Sequence, residues 1–119
     1  MDATTAASVA GLFARNERVA CVFRNGPLTF AIILVGALFV GSMETAWHGE
    51  ITPRRPRRSA DLPPDPRLSP LALDRGQEMG RFNMGSTVIL LLPRDSSTWL
   101  QALQAGSTVR VGQAMASLT

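Results

Sequence analysis

The 119-residue chain has no lysine and no tyrosine, a single cysteine and a single histidine. Each scarcity excludes something. Without lysine there is no side-chain amine to carry the cofactor of a lipoyl-type module. One cysteine, Cys21, permits no internal disulfide, which places the chain by default in a reducing compartment. It lies in the apolar run Val19-Ala20-Cys21-Val22-Phe23, the setting of a buried structural thiol and not of a nucleophile, since burial disfavours the thiolate. With His48 alone, no repeated His or Cys spacing for a metal exists, nor is there a phosphate-cradling glycine loop. The N-terminus, Met1-Asp2-Ala3-Thr4-Thr5, lacks the basic stretch that opens a signal peptide.

All 12 cationic residues are arginine, set against 9 acids for a net charge of +3. That mild excess suits an anionic membrane surface or a nucleic acid and establishes neither. At 45% hydrophobic residues, the composition supports one small domain with a modest core and speaks against wholesale disorder.

Four zones follow from the distribution of residues. Residues 1–11 are small and polar and read as a frayed terminus. Residues 12–52 are apolar with scattered charges. Residues 53–70 hold six of the eight prolines, too many for a helix interior or a central strand, and read as an exposed loop. Inside it, Arg54-Arg55-Pro56-Arg57-Arg58 is either a solvated charge cluster or a contact for anionic lipid headgroups. Residues 71–119 form a second ordered block.

Residues 25–43 carry no charge and are long enough to span a bilayer. Gly26-Pro27, Gly36 and Gly41 punctuate the run, and Ile32, Ile33, Val35, Phe39 and Val40 favour strands. The residues alone leave a single span and buried strands both open. Further on, Thr87–Leu92 reads as a buried strand stopped by Pro93. Ser96 or Ser97 is placed to cap a short helix near 96–104, ended by Gly106, with Trp99, Leu100 and Leu103 inward. Thr108–Val111 reads as another strand before a turn at Gly112-Gln113. The expected fold is mainly β (α+β): a small β-sheet or barrel-like domain with one short helix, its strand-turn rhythm like that of lipoyl-type modules.

The chemistry resides in Gly85-Ser86-Thr87. A serine hydroxyl can attack the carbonyl before it and turn that amide into an ester. Loss of the serine α-proton then expels the upstream chain by β-elimination. The resulting dehydroalanine hydrolyses to a pyruvoyl group and ammonia. Glycine at 85 permits the close approach this needs. The tripeptide alone is weak, because Gly106-Ser107-Thr108 repeats it in the same chain.

Context separates the two. Arg75-Gly76-Gln77-Glu78-Met79-Gly80-Arg81-Phe82-Asn83-Met84-Gly85-Ser86-Thr87-Val88-Ile89 resembles the processing segment of bacterial phosphatidylserine decarboxylase proenzymes. Leu12–Val19, Leu34–Ala37, Val40–Trp47, Ile51–Pro53 and Val111–Ala116 resemble other segments of that family, in order. The resemblance covers residues 12–53 and 71–117, with the proline-rich zone divergent, and tips residues 25–43 toward buried strands.

The resemblance implies a self-cleaving lyase. Cleavage at Gly85-Ser86 would give a β chain ending at 85 and an α chain of 86–119. Ser86 would become the covalent pyruvoyl cofactor, whose carbonyl forms a Schiff base with the serine headgroup and draws off electrons as CO₂ departs. The substrate would be phosphatidylserine and the product phosphatidylethanolamine. The partners would be an anionic membrane surface, met peripherally on the cytoplasmic side of the cell membrane, and no nucleic acid.

Two departures stand out. Met84 replaces the family's usual leucine, a near-isosteric change. The family's upstream half, with the His and Asp that assist, has no counterpart, so the chain resembles a C-terminal portion. His48 reads as a solvent-facing or strand-end residue; Glu78 as a surface carboxylate or a general acid or base; Arg81 as an exposed charge or a phosphate ligand. The rival readings are a non-enzymatic lipoyl-like binding domain, disfavoured by the missing lysine, and a small single-span membrane protein.

Overall fold

The computed structural model describes residues 16–36, 43–51, 59–62, 67, 72–83 and 87–119. The terminus 1–11 and most of the zone 53–70 fall outside that set. Of the zone's described residues, Ser59, Ala60, Asp61 and Arg67 are exposed and Leu62 is half-buried.

Among the described residues there are eight strands and no helix. β1 (Arg18–Asn25) and β2 (Leu28–Val35) form a hairpin about Gly26-Pro27. Gly26 has φ +59°, and proline cannot follow it into positive φ, the sign pattern of a II′ turn. β1 alternates as a half-buried strand should: Val19, Cys21 and Phe23 point inward while Arg18, Ala20, Val22 and Arg24 are exposed. Phe23 stacks on Phe30, with ring centroids 5.3 Å apart. β2 also bonds β6 (Thr87–Leu91), giving the order β1-β2-β6.

The chain divides into two compact units. The first comprises residues up to 20 and 33–89. Its own sheet has the order β4-β3-β5, built from β3 (Met43–Thr45), β4 (Gly49–Glu50) and β5 (Gly80–Phe82). Met43 is wholly buried, and Leu34, Val35 and Ile51 are buried in the same unit. Backbone bonds close it: Gly36 N–H to Glu17 O at 2.8 Å, Ile51 N–H to Met43 O at 2.8 Å, and Ala46 N–H to Met79 O at 2.9 Å.

The second unit comprises residues 21–32 and 90–119. Here β7 (Ser97–Trp99) pairs antiparallel with β8 (Ala116–Leu118), Trp99 opposite Ala116 and Ser97 opposite Leu118. Leu100 N–H to Met115 O and Thr119 N–H to Ser96 O extend this ribbon at both ends.

Several expectations need correcting. The helix near 96–104 is absent, because β7 occupies its first turn. The Ser96 hydroxyl donates to Pro93 O at 2.7 Å, closing a turn instead of accepting a helix N–H. Thr108–Val111 is not a strand: Arg110–Gln113 is a β-turn, with Gln113 N–H on Arg110 O at 3.1 Å. The strand after Ser86 exists, but Val88, Ile89 and Leu91 are exposed on it, so it is not a buried strand. The described residues form three small open sheets and no closed barrel. Of residues 25–43, Leu28–Val35 is strand with Leu34 and Val35 buried. Among the described residues no helix is long and apolar enough to cross a membrane.

Candidate active site

Gly85 and Ser86, with Met84, lie outside the described residues. Their flanks are described. β5 ends at Phe82, three residues before Gly85, and β6 starts at Thr87, immediately after Ser86. The Gly85-Ser86 bond therefore falls in the connection between two strands with different partners, β3 for β5 and β2 for β6. The bond lies outside the rungs described for β5 and outside the span of β6.

β5 is held in place by β3, with Met43 opposite Phe82, Glu44 opposite Arg81 and Thr45 opposite Gly80. The buried Met43 anchors the end of β5 nearest Gly85. At the other end the backbones approach closely: a Cβ on Gly80 would lie 2.5 Å from Glu44 O. Only glycine fits there, so Gly80 sets the depth at which β5 lies.

The exposed face of this pair carries charge. Arg81 Nε is 2.7 Å from Glu44 Oε1 and 3.4 Å from Glu78 Oε1. Glu78 is thus engaged by a cation four residues before Gly85, and Arg81 is already paired with two carboxylates. An incoming phosphate would have to displace them, which weakens the reading of Arg81 as a phosphate ligand. Arg81 is mostly exposed, so these pairs contribute at most about 1 kcal/mol. Glu44 was not singled out by the sequence; only the cross-strand register reveals it.

His48 sits in the turn Ala46–His48 between β3 and β4, its N–H directed at Thr45 O. It is half-buried, and nothing in its placement assigns it to the chemistry. Cys21 is buried, and desolvation pushes its thiol pKa above the ordinary value. It therefore stays protonated and inert, as a structural cysteine does.

Two buried polar side chains also escaped the sequence reading. Asn16, 6% exposed, has neither carboxamide atom bonded, and Thr45, 4% exposed, has an unbonded hydroxyl. Each costs about 1–3 kcal/mol relative to a satisfied group. Both belong to the first unit. Among the described residues no three His, Cys, Asp or Glu side chains cluster as metal ligands.

The family model for phosphatidylserine decarboxylase matches residues 1–117. The chain belongs to the phosphatidylserine decarboxylase family. The match runs through residues 53–70, which motif resemblance alone had left divergent. Among curated relatives, the phosphatidylserine decarboxylase proenzyme of Albidiferax ferrireducens is 46% identical over 116 residues. The proenzymes of Pseudomonas fluorescens and Acidovorax ebreus are 45% and 47% identical over 118 and 119 residues. Each alignment takes in 98% of this chain and 40–41% of the relative. The chain thus spans about 40% of the length of the curated relatives it matches. No solved structure matches it.

Proposed function

We propose that this chain is the self-processing part of a pyruvoyl-dependent phosphatidylserine decarboxylase, with Ser86 the residue that becomes the pyruvoyl group. The observation that carries this is positional. Gly85-Ser86 lies in the connection between β5 and β6, within a family match whose relatives are named proenzymes.

Ser86 Oγ attacks the Gly85 carbonyl carbon; the C–N bond breaks, a C–O bond forms, and the proton passes to the amine. Removal of the Ser86 α-proton then drives the Cβ–Oγ electron pair onto the departing Gly85 carboxylate. Water converts the dehydroalanine left at 86 into a pyruvoyl group with loss of ammonia. Once present, that group supplies a carbonyl electron sink for decarboxylation of an amino acid headgroup. The chain's own residues do the positioning. The Met43–Phe82 pair and the Gly80–Thr45 approach fix β5 upstream, and β2 fixes β6 downstream. The segment between them is thereby tethered at both ends.

On this proposal the substrate is phosphatidylserine, the products are phosphatidylethanolamine and CO₂, and the α and β chains stay associated. The protein works peripherally at the cytoplasmic face of the cell membrane. Support for that placement comes from the arginine cluster Arg54–Arg58 and from a substrate whose acyl chains keep it in the bilayer. The test is intact mass of the purified chain beside Ser86→Ala, with a carbonyl-reactive probe. A probe-reactive fragment beginning at position 86 in the unmodified chain alone supports it.

A further inference from the structure

Three turns of the molecule share one design. In Asp74-Arg75-Gly76-Gln77, Gln104-Ala105-Gly106-Ser107 and Arg110-Val111-Gly112-Gln113, the glycine has φ +77°, +85° and +82° respectively. The fourth residue's N–H donates to the first residue's carbonyl at 2.9–3.1 Å in all three. Its side-chain oxygen accepts the first residue's N–H at 2.9, 3.0 and 3.0 Å. These are type II β-turns locked by a side chain.

They differ at the second residue, the apex. Arg75 and Ala105 are ordinary there. Val111 is not: it is fully exposed (108%), and Val109 beside it is 56% exposed. A β-branched residue standing clear of its own protein gains nothing from the fold.

Next to the turn the apolar exposure continues. Met115 and Leu100, joined by a backbone bond, are both exposed, and Trp99 follows on β7. The charge of this unit has one sign. Its residues 21–32 and 90–119 include Arg24, Arg94 and Arg110 against the single carboxylate Asp95.

We infer that the turn Arg110–Gln113 is a membrane-inserting tip, with Val111 as the wedge into the bilayer of an anionic phospholipid surface. The inference deepens the proposed function and rests on its lipid substrate. Three properties fit this occupant. Arg110 stands beside the wedge, where a guanidinium meets anionic headgroups. The Arg110 and Gln113 N–H groups are already bonded within the turn, so insertion strips less water from bare backbone. The turn is locked before contact, so little ordering is needed on binding.

The test is sedimentation of the full chain with vesicles of phosphatidylserine and phosphatidylcholine. Val111→Asp should lower affinity about tenfold or more, with its melting temperature unchanged because Val111 packs against nothing. Ala105→Asp, the same change in the sister turn, should bind like the unmodified chain. Arg110→Gln should lose affinity less and flatten the salt dependence. Equal binding by Val111→Asp and the unmodified chain overturns this inference and leaves the proposed chemistry standing. If the unmodified chain binds no anionic vesicle, the peripheral placement falls as well, while the Ser86 mass test still judges the chemistry. A second readout is Val111→Cys carrying an environment-sensitive dye, with Cys21 buried and protected. A blue shift on anionic vesicles supports insertion. A concentration-dependent shift without lipid would show the tip covered by a second copy and overturn the inference.

Discussion

The two units of this chain draw on similar residues and spend them differently. Among the described residues, four of the five buried hydrophobic side chains (Leu34, Val35, Met43 and Ile51) belong to the first unit, and only Cys21 to the second. Exposed large hydrophobics run the other way: Val88 and Ile89 in the first, and Val22, Leu91, Trp99, Leu100, Val109, Val111, Met115 and Leu118 in the second. The physical difference is layering. In the first unit β3 has a partner on each side and a glycine that lets β5 come close. In the second, β7 and β8 make a two-stranded ribbon, an arrangement that is marginal alone, and its Trp99 and Leu118 are left exposed. Apolar composition therefore does not reveal where a core is; pairing and close approach decide it.

The largest expected effect tests that contrast directly. Met43→Ala should cost about 2–5 kcal/mol, the range for a buried methionine that leaves a cavity. Leu118→Ala, on the ribbon, should cost less than about 1 kcal/mol. Equal losses by chemical denaturation would erase the distinction between the units. Next comes Gly80→Ala, whose added methyl must displace the Glu44 carbonyl; a loss of about 1–3 kcal/mol is expected. Gly76→Ala meets no such atom and pays only for its positive φ, about 1 kcal/mol. If the order of these two is reversed, the close approach of β5 to β3 does not govern how β5 is held.

Cys21 sharpens the picture through pH. Burial raises its folded-state pKa above the ordinary 9.0. The unfolded chain therefore releases its proton first as pH rises. The contribution to stability is complete below pH 9.0 and is lost between there and the folded pKa. Denaturation midpoints followed into alkali should fall more steeply for the unmodified chain than for Cys21→Ala. The smallest effect belongs to Arg81→Gln, no more than about 1 kcal/mol, because Arg81 itself is mostly exposed. A larger loss would mean that the Glu44–Arg81–Glu78 set holds β5 in place.

Much of this was legible in the residues. The Gly26-Pro27 turn, the burial of Cys21 and the strand after Ser86 follow from local chemistry, and so did the family. The failures share one cause. Residues 96–104 have serine caps and a helical spacing of Trp99, Leu100 and Leu103. Yet the Ser96 hydroxyl was taken by Pro93 O, and Ser97–Trp99 by β8, a partner some twenty residues away. Thr108–Val111 has strand-forming residues, but the Gln113 side chain, locking the Arg110 N–H, bent it into a turn. Both outcomes depend on partners distant along the chain or on one side-chain bond, which propensity does not register. At the candidate site, Glu44, Asn16 and Thr45 had no motif to mark them; register and burial alone bring them forward.

The central claim is that Ser86 cuts the chain before itself. The most direct measurement is the intact mass of the purified 119-residue chain over days, with hydroxylamine added to trap any ester at Gly85, beside Ser86→Ala. The account predicts slow breakage between Gly85 and Ser86 in the unmodified chain and none in Ser86→Ala. Slowness is expected because a positioned general base contributes about 10²–10⁴-fold, and the one histidine, His48, sits in the β3–β4 turn with no such assignment. A chain that stays whole under hydroxylamine, or one that breaks at that bond with alanine at 86, would contradict it.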